Sequence, residues 1–416
     1  MESAGCSPGY ARSAEVSVLY LSYDGLMEQL GQSQILPYLR QLARGRPITL
    51  VTYEKSVDHD DKVRRAHFGV LASEAGIRWI PLRYHKRPAN LSTAYDLALG
   101  FLVCAFQCLT QRIVIVHARG YVPSVVALLL KRAFGVRFIF DMRTFWVVQR
   151  VERGVWREDS AIFRVARWFE DRFLQEADVV FSLSHAAVAV IKQWPAVAGR
   201  SVWFEVVTTC TDLALFRPRP QDSGEQRVVA FVLGYVGNAG AGYLFGEALE
   251  LFIALRRIRP DARLMIVNRY DHAVILDQIR DRNIPLAAVD LSSCDHAEVP
   301  SKMWQMDAGV FFIRPGLSNI SSVPTRMGEF LACGVPCVGN AGVADVAETL
   351  AGEGVGVAVR DFQPESMRWA AQEIVGLSER TEVREHCIRV ARERFSLTSG
   401  VATYESVYRR LEATAR

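Results

Sequence analysis

The chain has 416 residues, half of them hydrophobic and 23% charged, with a formal net charge of +4. That length exceeds one ordinary core and fits two domains of about 200 residues each. The composition excludes a disordered or fibrous chain, and so mild a net charge gives no argument for nucleic acid. The charge is uneven, however: residues 1–200 hold 26 Lys and Arg against 18 Asp and Glu. A basic first half implies an anionic partner, such as phospholipid headgroups, a pyrophosphate-linked acceptor or a polyanion; the plainer reading is an unevenly solvated surface.

Eight cysteines (6, 104, 108, 210, 294, 333, 337 and 387) form no CxxC pair and have no histidine spacing for zinc, so buried thiols of a cytoplasmic protein and no metal are expected. The opening MESAGCSPGYARSAE has no basic start followed by an apolar core, which argues against a signal peptide. The longest apolar run, Leu97 to Leu109, contains Gln107 and is too short to span a bilayer; it reads as a buried or membrane-surface helix. The expected location is the cytoplasm, with peripheral contact at the inner membrane face through the basic half as one option.

Short β-rich runs alternate with amphipathic stretches, the pattern of a parallel sheet covered on both faces. Strands are expected at 16–22, 48–54, 77–82, 113–119, 137–143, 179–184 and 202–207, with a helix over 161–177. The polar RPRPQDSGEQR (217–227) breaks the pattern as a linker would. Strands resume at 229–237, 263–268, 285–291, 308–314, 336–340 and 355–359. The fold class is therefore α/β, with two Rossmann-like doubly wound domains: 1–216, a linker at 217–228, and 229–395. A last helix, 396–416, is expected to pack back on the first domain. Ligands of such sheets gather at C-terminal strand ends, which implies a cleft between the two domains.

Two glycine loops follow the first strand of each domain. In SYDGLMEQLGQSQ (22–34), Gly31 reads as letting backbone approach a ligand, and GYVGNAGAGY (234–243) stands in the same place in the second domain. A tight strand-to-helix turn needs glycine in any case. In SNISSVPTRMGEFLACGVPCVGN (318–340), Ser321, Ser322 and Pro324-Thr325 read as a capped helix start, whose free amides suit phosphate. Glu329 lies within that helix, where its carboxylate suits two vicinal ribose hydroxyls or simply faces solvent.

This last segment resembles the donor-binding motif of the retaining, GT-B-fold glycosyltransferases of family 4. SYDGLMEQLGQSQILPYL (22–39), HARGYVPS (117–124), FDMRTFW (140–146), TCTDLALF (209–216) and YVGNAGAGYLF (235–245) agree with it in order. The resemblance implies metal-independent transfer of a hexosyl or N-acetylhexosaminyl group, with retention, from a nucleoside-diphosphate sugar to an acceptor hydroxyl. No cofactor is implied beyond that donor, UDP- or GDP-linked. The acceptor would be a sugar, a glycolipid or a small molecule, in surface polysaccharide, glycolipid or natural-product synthesis.

By the same resemblance Glu329 matches the second carboxylate of the family's Glu, seven residues, Glu signature, the one that holds the donor ribose. The first falls on Ser321, a departure that leaves the sugar-contacting role to Ser321, Ser322 or a backbone amide. The family's Arg and Lys after the first strand of the second domain are also missing, since Asn238 and Tyr243 stand there. The diphosphate is then expected on Arg326, Arg314, Thr325 and the amides of Gly237–Gly240. His117 or Arg119 corresponds to the family's sugar-contacting histidine. Asp24, Gly31, Gln32, Ser33, Asp141, Arg143 and Trp146 form the acceptor or sugar side. Two rivals stay open, a UDP-sugar 2-epimerase of the same fold and a non-catalytic subunit that binds a nucleotide sugar or a partner.

Overall fold

A computed structural model describes residues 16–85, 87–220, 230–240 and 242–414. The N-terminal segment with Cys6, and residues 221–228 of the expected linker, lie outside the described residues; Arg217–Pro220 form neither helix nor strand.

The first seven strands are β1 (Ser17–Ser22), β2 (Ile48–Glu54), β3 (Ile77–Arg83), β4 (Ile113–Arg119), β5 (Arg137–Met142), β6 (Val179–Ser182) and β7 (Phe204–Val206). They form one sheet in the order β3-β2-β1-β4-β5-β6-β7. The other six are β8 (Val232–Val236), β9 (Arg263–Val267), β10 (Val289–Ser292), β11 (Ala308–Val310), β12 (Cys337–Asn340) and β13 (Gly356–Val359), ordered β10-β9-β8-β11-β12-β13. The strand pairs run parallel, as in β1 with β2 and β4, and β8 with β9 and β11. All residues of β1, β2 and β8 are buried, because helices between parallel strands cover both faces and leave no side facing solvent. Each sheet reverses its winding once, between β1 and β4 in the first and between β8 and β11 in the second. Such switch points open a crevice at the C-terminal strand ends. The segments leaving them are Tyr23–Asp24 and Arg119–Gly120 in one sheet, and Gly237–Gly240 and Phe311–Arg314 in the other.

The chain divides into two compact units. One runs to Asp141 and adds Phe173–Val179 and the chain from Tyr404 onward; the other holds Met142–Arg172 and Val180–Thr403. Two strand expectations are corrected. The run 308–314 is strand only to Val310, because the Asn340 side chain takes over the Ile313 backbone, accepting from its N at 2.9 Å and donating to its O at 3.0 Å. The run 285–291 begins as a 3₁₀ turn, Leu286–Ala288. For the apolar run 97–109 only the expected length is corrected. It is the C-terminal part of a 22-residue helix, Ala89–Thr110, of which Leu91–Thr110 has the length and apolarity to cross a bilayer.

Candidate functional site

In the second unit, Gly237 ends β8 with φ +121°, a left-handed value that glycine adopts without a Cβ penalty. A Cβ there would also press on the Arg326 guanidinium at 3.0 Å. Arg326 Nε donates to the Val236 carbonyl at 2.8 Å and its NH1 to Glu329 Oε2 at 2.9 Å. One guanidinium therefore ties the end of β8 to the helix Thr325–Ala332. Glu329 is only 3% exposed. Burial pushes its carboxyl up, but His296 and Arg326 outweigh that and hold it below the usual carboxylate range. His296 Nε2 stands 3.9 Å from Oε1. It is placed by a 3₁₀ turn whose Asp295 and Glu298 cap each other reciprocally. Sequence reasoning passed over His296, although the Asp-His-Ala-Glu spacing was there to read.

The loop after β8 is held by side chains from beyond β9. Asn268 Nδ2 donates to Gly237 O at 2.8 Å, the Ala239 amide donates to Asp271 Oδ2 at 3.1 Å, and Tyr235 Oη donates to Asn238 O at 2.6 Å. Gly240 is exposed, and so is Arg314, whose side chain makes no hydrogen bond or ion pair among the described residues. The Arg314 backbone is fixed, its N donating to Gly242 O at 2.8 Å and its O accepting from Asn319 Nδ2 at 2.7 Å.

The expected hydroxyl capping of the helix is corrected. Pro324 is its N-cap and no side chain caps it, while Ser322 and Thr325 stand half-buried beside the start. Ser321 belongs instead to the 3₁₀ turn Leu317–Ser321. Its Oγ donates to Ser318 O at 2.7 Å and accepts from the Phe145 amide at 2.8 Å, and the residue is 1% exposed. The hydroxyl's one proton and one of its lone pairs are thus used in holding two loops together. A cavity of about 300 Å³ in this unit is lined by Val323, Met327, His185 and Asp345 among others, but not by Glu329, Arg326 or Gly237. Trp146 meets Trp156 edge-on at 4.9 Å and lies under the Arg150 guanidinium at 5.2 Å; Arg143 is half-buried just past β5.

In the first unit the candidates gather around Asp141. Its Oδ2 stands 3.5 Å from His117 Nε2, 3.7 Å from Arg119 NH1 and 3.4 Å from Tyr404 Oη. His117 has no exposed surface, and its Nδ1 lies 2.6 Å from Tyr408 Oη. Burial pushes the Tyr408 phenol well above its ordinary range, so it stays protonated and can donate to Nδ1, leaving the Nε2 proton to face Asp141. Tyr404 and Tyr408 come from the helix Leu397–Thr414, which Arg46 also grips through Glu405 at 2.8 Å and Glu412 at 2.9 Å. No short motif announced the two tyrosines, which lie 263 and 291 residues from Asp141 and His117.

The loop after β1 is built on Glu54, a residue that sequence reasoning also missed. Fully buried at the end of β2, it accepts from the Leu26 amide at 2.7 Å, the Met27 amide at 3.3 Å and Thr52 Oγ1 at 2.6 Å. A charged residue closing the apolar run ITLVTYE was the available signal. Asp24, near the switch point, has its carboxylate 3.9 Å from Arg119 Nε. Gln32 and Ser33 are exposed, and Gln32 Nε2 donates to Met27 O at 2.8 Å. The backbone that Gly31 lets approach is the loop's own, because a Cβ would collide with Gly25 O and come within 2.6 Å of Leu26 Cα. Backbone atoms cannot swing aside as a side-chain end can. Gly31→Ala is accordingly expected to destabilise the first unit by about 2–3 kcal/mol, seen as a lowered thermal midpoint. An unchanged midpoint would show that the loop repacks freely.

Residues 35–204 match the family model described as "Glycosyl transferase 4-like domain". No curated protein matches the chain in sequence. Among solved structures the chain is similar to sucrose-phosphate synthase from Thermosynechococcus elongatus, at 17% identity and TM-score 0.66, over 96% of this chain and 100% of that one. A glycosyltransferase from Rickettsia africae superposes with TM-score 0.69 at 9% identity, over 95% and 98%. Anabaena HepE, solved in complex with UDP, gives TM-score 0.67 at 14% identity, over 95% and 100%. The fold is that of these two-sheet, GT-B glycosyltransferases, and residues 35–204 are similar to a glycosyl transferase 4-like domain.

Proposed function

We propose that the chain transfers a sugar, with retention and without a bound metal, from a nucleoside-diphosphate sugar to an acceptor hydroxyl. The observation that carries this reading is Glu329, a buried carboxylate kept ionised on the helix tied to the switch-point loop of the second sheet. Its oxygens suit the two ribose hydroxyls of a nucleoside, with His296, 57% exposed, swinging off Oε1 as the ribose enters. The leaving diphosphate would meet the amides that open the helix Thr325–Ala332, those of Gly237–Gly240, and the Arg314 guanidinium. Such groups matter most where negative charge grows as the sugar turns oxocarbenium-like. UDP is the first candidate nucleotide, because HepE is solved with UDP and with UDP-glucose. His117, Arg119 and Asp141 read as a positioning network, with Asp24, Gln32, Ser33, Arg143 and Trp146 on the acceptor side.

A second reading, a nucleotide-sugar-binding subunit without transfer, is favoured by two observations: the Ser321 hydroxyl proton is already committed to Ser318 O, and His117 is enclosed. One experiment separates them. In a thermal-shift panel of UDP, GDP, ADP and dTDP sugars, UDP sugars are expected to raise the midpoint most, by linkage. UDP release on adding acceptor then supports transfer, and binding without release under a broad acceptor panel supports the subunit. If no nucleotide shifts the midpoint, both readings fall.

A further inference from the structure

The helix Ala89–Thr110 is amphipathic in the inverse sense. Its inner face is small and polar: Ser92, Asp96, Gly100, Cys104 and Gln107 are buried, one per turn. Tyr53 Oη donates to the Asp96 carbonyl at 2.7 Å, Tyr23 Oη to its carboxylate at 3.1 Å, and Gln111 Nε2 to Gln107 Oε1 at 2.6 Å. Gly100 has no room for a Cβ against Tyr53. The outer face is apolar throughout. Leu91, Tyr95, Leu102, Phe106 and Leu109 are each more than half exposed, and Ala94 and Ala98 fill the stripe between them. These positions recur at three and four and so share one side of the helix. A stripe this long and this dry on a water-facing helix marks a docking surface.

Charge identifies the occupant. Of the Lys and Arg in residues 77–137, Arg83, Arg119, Lys131, Arg132 and Arg137 pair with carboxylates, and Asp96, the one acidic residue of that stretch, is buried, so the charge beside the stripe is set by the arginines at the two helix ends. Arg87, two residues before the helix, and Arg112, two residues beyond it, are both exposed. An apolar stripe bracketed by arginines fits an anionic lipid surface, whereas a second copy would bring like charges together. Crossing the bilayer would strip Asp96 and Gln107 of their partners, so the helix lies in the plane of the interface. We propose that the Ala89–Thr110 helix docks this chain on a bilayer bearing anionic headgroups, with Tyr95 at the headgroup level. This inference does not depend on glycosyl transfer.

The test is co-sedimentation of the full chain with sucrose-loaded vesicles of phosphatidylcholine, with and without phosphatidylglycerol. Binding to the anionic vesicles is expected, weakened at least about tenfold in Leu102→Glu/Phe106→Glu and also reduced in Arg87→Glu/Arg112→Glu. Both apolar positions are exposed, so the thermal midpoint and the nucleotide-induced shift should be retained. Should that variant misfold, Leu91→Gln/Leu109→Gln replaces it. Wild type that stays in the supernatant, or a stripe variant that binds as well as wild type, overturns the proposal. So does a lipid-free dimer that the stripe substitutions dissociate without any vesicle binding by wild type. A nucleotide shift that survives while vesicle binding fails would leave the reading of Glu329 standing.

Discussion

Glu329→Gln is expected to weaken nucleotide binding about 10–100-fold, the equivalent of the ~1.5–3 kcal/mol carried by hydrogen bonds to a charged acceptor. Isothermal titration with UDP reads it directly. The amide keeps the shape of the carboxylate but turns an N–H toward Arg326 or the ribose. The helix should survive, because Arg326 still donates to the Val236 carbonyl and is itself part-exposed. The pH dependence carries a sign. Since the folded carboxyl lies below its ordinary value, its contribution is present above about 4.3, the value in an unfolded chain, and is lost as pH falls through the lower folded value. Wild-type affinity attributable to this group should therefore hold down to mildly acidic pH and then fall, while the variant shows no such step. Equal UDP affinity in the two proteins would remove Glu329 from the donor site.

Asp141→Ala is the second large expectation, and it concerns stability. The substitution leaves Arg119 and His117 enclosed without the carboxylate that both face. Breaking a buried charge pair by removing one partner costs about 3–5 kcal/mol, mostly the desolvation of what remains. For a unit of this size the loss corresponds to a drop of about 6–20 °C in its calorimetric transition. Tyr408→Phe, which removes only the partner of His117 Nδ1, should cost less, about 1–3 kcal/mol. An Asp141 variant with an unchanged midpoint but a collapsed turnover would instead make this cluster part of the reaction machinery.

Strand positions were legible because parallel strands covered on both faces leave a strong local signal. ITLVTYE and IVIVHAR coincide with β2 and β4 residue for residue. The helix expected over 161–177 is found at Ala161–Glu176, yet its Ile162 and Val165 are exposed, because period alone does not say which neighbours will cover a stripe. The placement of Glu329 within a helix and of Gly237 in the turn after a strand was legible in the sequence. The tasks of Gly31 and Ser321 were not: one serves a close approach between two backbone segments, the other a hydrogen bond to an amide 176 residues away.

By itself the sequence determined two parallel α/β sheets, their strands and the glycine turns that leave them, since these follow from local hydrophobic period and backbone sterics. Only the tertiary structure decided what each polar group faces. It enclosed His117 under Tyr408, set His296 beside Glu329, and turned the apolar side of the Ala89–Thr110 helix outward. The physical reason is that burial and charge pairing depend on partners brought together by the fold, and no window along the chain contains them.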